Sequence, residues 1–169
     1  MATWTTRPAP QPGDSVDVAK KRRRRGPGAL TNAFGETDVT KRVLIVDDEP
    51  NVVGVLREFF ARFQHGHAYD VVSAYSAVEA LDILLRDILL KKQFDLILLD
   101  MVLPRVGGLD LLKRIRDLGV NAPVLVMTGG RQEAEARLAG AVGYLHKPFN
   151  LRDLGRSVAL ALGPRATGG

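Results

Sequence analysis

Five short apolar runs, each followed by a stretch with helical periodicity, limit the folds open to this chain. The runs are Arg42–Val46, Tyr69–Ser73, Phe94–Leu99, Pro123–Met127 and Gly143–His146. The first is β-branched and aliphatic rather than alternating, the pattern of a strand buried on both faces. After the first, Pro50 suits the opening turn of a helix. Val52, Leu56, Phe59, Phe60 and Phe63 then recur at helical spacing. After the second, Ser76 and Glu79 form a capping-box pattern. Val78, Leu81, Leu84, Leu85 and Ile88 follow as the expected inner face of a helix running to about Lys91. Pro104 and Gly107-Gly108 precede a third helix over about Leu109–Leu118, with Leu112 and Ile115 inward. A short helix is expected near Gln132–Leu138. Asn150 is the expected N-cap of the last helix, with Leu151, Leu154, Val158 and Leu162 inward. Strand-first alternation of this kind predicts an α/β fold: a five-stranded parallel sheet, (βα)5 and doubly wound, with helices on both faces.

The rest of the chain is of a different kind. Residues 1–40 contain four prolines and four glycines, have no sustained apolar period, and are expected to form a disordered tail. They hold seven Lys/Arg against four Asp/Glu, most of the bases in the run Lys20–Arg25. Residues 41–163 are expected to form the single domain and 164–169 a short C-terminal tail. The domain is nearly balanced in charge, so the high overall basicity says little about its surface. There is no cysteine, which removes disulfides and thiolate metal sites from consideration. No apolar stretch reaches the roughly 20 residues of a membrane span, and the N-terminus lacks a signal-peptide core. A cytoplasmic protein without a separate output domain is the expectation.

Polar residues close four of the five strands. Asp47 and Asp48 follow strand 1, Asp100 strand 3, Thr128 strand 4 and Lys147 strand 5. Singly, each has an ordinary reading: a turn former, a helix cap or a solvated charge. Jointly they converge on the carboxyl edge of one sheet, where open α/β folds bind ligands; in strand order 2-1-3-4-5 the crevice falls between strands 1 and 3. Three carboxylates, a hydroxyl and an ammonium there suit a divalent cation and a phosphoryl group.

Residues 41–163 resemble the receiver domain of two-component response regulators, a flavodoxin-like fold. The resemblance rests on Val46-Asp-Asp-Glu-Pro50, Leu98-Leu-Asp-Met-Val-Leu-Pro104, Val126-Met-Thr-Gly129 and Gly143-Tyr-Leu-His-Lys-Pro-Phe149. It implies that Asp100 is the phosphoacceptor, taking a phosphoryl group from a sensor histidine kinase or phosphotransfer protein. It implies Mg²⁺ held by Asp47, Asp48, Asp100 and the backbone carbonyl of Val102. Thr128 and Lys147 would bind the phosphoryl group, Thr128 and Tyr144 would form the conformational switch, and the bond before Pro148 would be cis. The activity so implied is a signalling switch acting on its own Asp100, not an enzyme, with an unspecified downstream protein target.

Several features depart from that pattern. Val102 and Gly130, each two residues beyond a site residue, cannot guide an attacking water, which predicts a long-lived phosphoryl group. The stretch from Thr128 to Lys147 is short, so helix 4 should be stubby, whereas helix 2 and its turn are long. His65 and His67 could clip a metal, although a solvated loop is the simpler reading; His146 has no expected chemical role. The basic run would serve an acidic partner, anionic lipid or nucleic acid, or be a solvated tail. Alternatives remain in other classes. A phosphatase of the haloacid-dehalogenase type would need its nucleophile after strand 1 in an Asp-x-Asp pattern, which is absent. A pseudo-receiver would bind a protein without ever carrying phosphate.

Overall fold

A computed structural model describes residues 40–163 except 64, 66 and 131. Residues 1–39 of the tail expected over 1–40, its basic run and residues 164–169 therefore lie outside the described residues, whereas Thr40, expected in the tail, is in a strand. The elements alternate in chain order: β1 (Thr40–Val46), α1 (Pro50–Arg62), β2 (Ala68–Ala74), α2 (Ala77–Leu89), β3 (Leu96–Asp100), α3 (Gly108–Asp117), β4 (Val124–Thr128), α4 (Glu133–Leu138), β5 (Gly143–His146) and α5 (Leu151–Leu162). All strand pairs are parallel, in the order β2-β1-β3-β4-β5. The doubly wound α/β architecture expected from the sequence is therefore present. β1 begins two residues earlier than its aliphatic run, because Thr40 and Lys41 pair with Ala68 and Tyr69.

The strands β3 and β4 are buried along their whole length. Alternate side chains enter two apolar layers. Leu44, Val46, Ile97 and Leu99 join α2 and α3, whereas Val43, Ile45, Leu96 and Leu98 join α1 and α5. Continuous aliphatic sequence in the strands is thus explained by helices on both faces. Gly155 of α5 lies where a Cβ would stand 3.1 Å from the Phe63 ring, so α5 and the end of α1 approach closely.

The helix starts follow the sequence. Pro50 opens α1. Ser76 Oγ accepts a hydrogen bond from the Glu79 N–H (3.2 Å), and Glu79 Oε2 accepts one from the Tyr75 N–H (2.7 Å). Asn150 Oδ1 accepts from the Asp153 N–H at 2.9 Å. α4 is six residues long, as its short sequence predicts.

The inner face of α2 differs from expectation. Ala77, Ala80, Ile83, Leu84 and Asp87 are buried, while Val78, Leu85 and Ile88 are exposed. The helix is apolar almost all round, so periodicity could not choose its inner face. Two alanines allow close approach to the sheet, and Asp87 forms a 2.7 Å ion pair with Arg42 on β1. In α5, likewise, Leu154 and Val158 face inward but Leu151 is exposed.

Candidate functional site

Backbone hydrogen bonds fix the carboxyl edge of the sheet before any side chain acts. The Asp47 N–H donates to Ala74 O (3.2 Å), Met101 N–H to Met127 O (3.0 Å) and Lys147 N–H to Thr128 O (2.8 Å). Each strand end is therefore tied to its neighbour one residue past the regular ladder. Asp47 is fully buried, and its Oδ1 accepts from the Glu49 N–H at 2.9 Å in the turn leading to α1. Asp48 is exposed. Asp100 is buried, and its Oδ1 accepts from the Val102 N–H at 3.3 Å.

These placements bring together the residues singled out from the sequence. One carboxylate oxygen from each of Asp47, Asp48 and Asp100 lies within 4.8 Å of the others. Lys147 Nζ stands 2.8 Å from Asp47 Oδ2 and 3.2 Å from Asp100 Oδ2. Burial pushes the Asp100 carboxyl above the usual range, and the nearby Asp47 charge adds to this; Lys147 and the Val102 N–H oppose it without prevailing. Burial pulls the Lys147 ammonium down, but its hydrogen bond to Asp47 and the charges of Asp100 and Asp47 more than compensate, so it is held above its ordinary value. Lys147 is thus a firm cation facing a surplus of negative charge.

The donor set fits Mg²⁺. It is all oxygen, carries more than one carboxylate and has an exposed member, Asp48, leaving room for retained water. Among the described residues no other group of three His, Asp or Glu side chains meets in this way. His65 and His67 belong instead to an aromatic cluster, with Phe63 and Tyr69 at ring-centroid distances of 5.7 and 6.5 Å respectively.

Thr128 is buried at the end of β4, and its Oγ1 accepts from the Gly130 N–H at 3.1 Å. Tyr144, half-buried on β5, accepts at its hydroxyl from Arg137 Nε (3.2 Å), with the guanidinium 5.7 Å from the ring centre. The Lys147–Pro148 bond is cis. The Val102 side chain is 72% exposed.

Comparison with known proteins decides the family: the model of the response regulator receiver domain matches residues 43–159. The chain belongs to that family. This receiver is 37% identical over 117 residues to the response regulator MprA of Mycobacterium tuberculosis, covering 67% of this chain and 46% of that protein. It is 33% identical over 115 residues to the response regulator SaeR of Staphylococcus epidermidis, covering 66% and 46% respectively. The chain spans about half the length of the curated relatives it matches. Among solved structures, a CheY-like receiver domain protein from Methanospirillum hungatei matches with a TM-score of 0.61 and 30% identity, covering 73% of this chain and 94% of that one. The receiver domain of the Francisella response regulator 1452 matches with a TM-score of 0.61 and 26% identity, covering 72% and 96%.

Three contributors escaped sequence reasoning. Arg137 bonds Tyr144 across the short α4, and Asp87 anchors α2 through Arg42. Gly108 is the third: a Cβ there would collide with the Asp100 carbonyl oxygen and stand 2.6 Å from Met101 Cα. The Gly107-Gly108 pair was visible as a break, but nothing local marked Gly108 as lying against the backbone of Asp100.

Proposed function

We propose that this receiver accepts a phosphoryl group on Asp100 from a phosphohistidine of a sensor kinase or phosphotransfer protein, and relays the event by a conformational change. The observation that carries this reading is the placement of Lys147 within 3.2 Å of the buried Asp100, beside two further carboxylates. An Asp100 oxygen attacks phosphorus, the bond from phosphorus to the imidazole nitrogen breaks, and the donor histidine leaves with the bonding pair. Asp47, Asp48, Asp100 and the Val102 backbone carbonyl would hold Mg²⁺, which when bound would supply charge neutralisation for the transferring group. Lys147 exchanges its carboxylate contacts for a phosphoryl oxygen, as a compact point charge suits. The buried wall of the site excludes bulk water, which strengthens every one of these contacts.

Thr128 and Tyr144 convert the new charge into a change of shape. The added phosphoryl oxygens attract the Thr128 hydroxyl away from Gly130. Tyr144 then exchanges its Arg137 hydrogen bond for the vacated space, and the α4–β5 surface changes with it. Val102 and Gly130 offer no side chain to activate a hydrolytic water, so the acyl phosphate persists until back-transfer or an external phosphatase removes it.

Intact mass after incubation with Mg²⁺ and acetyl phosphate tests the central claim. One phosphoryl adduct that requires Mg²⁺ and is missing in Asp100→Asn is expected. No adduct under any condition would overturn phosphotransfer and leave a pseudo-receiver. Rapid loss of the adduct in the purified protein would sink the claim of long life, whereas Val102→Glu is expected to shorten that life severalfold.

A further inference from the structure

Half of the large hydrophobic side chains exposed on the described residues fall within one segment, Tyr75 to Leu90. Within α2, Val78, Leu81, Leu85 and Ile88 follow one another at intervals of three, four and three residues. That is the spacing of a seam between two packed helices. Val78, Leu85 and Ile88 are 62%, 45% and 43% exposed, and Leu81 is half-buried at the margin of the core. Leu89, the last residue of the helix, and Leu90 just after it extend the strip at 83% and 57% exposure. The opposite face of α2 is already buried against the sheet through Ala77, Ala80, Ile83 and Leu84. α2 is therefore apolar on two sides. A helix of that kind requires cover on both, and patches this contiguous mark interaction sites.

The charges beside the strip identify the cover. Asp82 lies in the first half of α2, and Arg86 in the second, with Lys91 and Lys92 just after it. All four are exposed, and none makes an ion pair with a described residue. Glu79, also in the first half, caps its own helix. Lengthwise, then, the strip is acidic toward its start and basic toward its end. A parallel partner of the same sequence would set like charge on like. An antiparallel one sets each acidic half against a basic half and opposes the two helix dipoles.

We propose that α2 is a self-association surface: two copies of this chain pack α2 against α2, antiparallel, about a two-fold axis near Leu85. The geometry is isologous, since the same strip serves both subunits. Val78 of each copy approaches the Lys91–Lys92 end of the other, and Asp82 approaches Arg86. Asp47, Asp100 and Lys147 form no part of the strip, so the pairing needs none of their side chains. One helix pair covers less than a standard interface of roughly 1,600 Å². The association is therefore expected to be reversible and read from its dependence on protein concentration.

Sedimentation equilibrium of the full chain, with and without Mg²⁺, reads this directly. The expected result is a mass rising toward twice that of one chain, returned to one chain by Leu85→Glu with unchanged circular dichroism. Charge reversal separates this pairing from nonspecific stickiness. Asp82→Lys leaves two bases at positions 82 and 86, and Arg86→Glu leaves two acids there, so like charges face each other across the pair; each alone should weaken self-association at least tenfold. Mixing the two should restore a dimer containing one copy of each, seen by native mass spectrometry. A chain that stays monomeric at every concentration overturns the proposal, including the case in which another segment of this chain or a different protein covers α2. So does a dimer that survives Leu85→Glu, or a mixture of the two charge variants that fails to pair.

Discussion

Gly108 shows how a residue without a side chain can shape a chemical site. Its Cα lies where a methyl group would strike the backbone of Asp100 and Met101, so α3 begins directly against the strand end that carries Asp100. Gly108→Ala must push the two apart. We expect a loss of about 1–3 kcal/mol, the usual cost of overpacking, measured by urea unfolding, with a fall in phosphorylation rate larger than the fall in stability. At Asp100 the prediction concerns pH. Its carboxyl titrates higher in the folded protein than in the unfolded chain, chiefly through burial. The folded state therefore holds its proton longer, and stability falls as pH rises from the ordinary aspartate value, about 3.9, through the raised one. That loss persists at neutral pH. Without Mg²⁺, Asp100→Asn should remove this fall and raise the melting temperature near pH 7. A variant that melts at or below the parent there would contradict the sign.

At the level of elements, α2 is the instructive case. Ser76 caps it through its hydroxyl, and Ser76→Ala is expected to cost about 1 kcal/mol. Asp87 anchors its far end to Arg42, with the carboxylate 7% and the guanidinium 23% exposed. Asp87→Asn keeps the shape but loses the charge, so about 1–2 kcal/mol is expected, discounted for the solvent still reaching Arg42. Thermal melts of both variants check these values. The cap was legible because a capping box is local in sequence. The anchor was not, because Arg42 and Asp87 lie far apart in the chain and meet only once β1 and α2 are packed. The rotation of α2 was hidden for a related reason. Where the apolar arc is much wider than the face that can be buried, periodicity does not centre it, and small residues and one ion pair decide. The five strands and their order were legible from the short apolar runs, but not the ends of β1 and β3, which pairing with neighbouring strands sets.

For the whole molecule, site and fold are one arrangement. Asp47, Asp100, Thr128 and Lys147 were legible because each directly ends an apolar run and parallel order brings those ends together. Their mutual distances were not, because backbone ties between neighbouring strands set them. A ligand bound at this edge should therefore stabilise the entire sheet. Mg²⁺ at one hundred times its dissociation constant is expected to add about 2.7 kcal/mol, read as a rise in melting temperature that Asp47→Asn diminishes. The other end of the lower α4 region is held differently. Arg116 of α3 donates to Val120 O (2.7 Å) and Ala122 O (2.8 Å) before β4, and to Gly140 O (2.8 Å) just beyond α4. At its start, α4 is steadied by the exposed pair of Glu133 and His146, 3.0 Å apart. In mechanical terms α4 is a cantilever: clamped where it meets Gly140, lightly pinned at Glu133 beside the end of β5. A push on the Glu133 end is therefore expected to tilt α4 about the clamp, with the displacement greatest at Glu133 and smallest at Gly140.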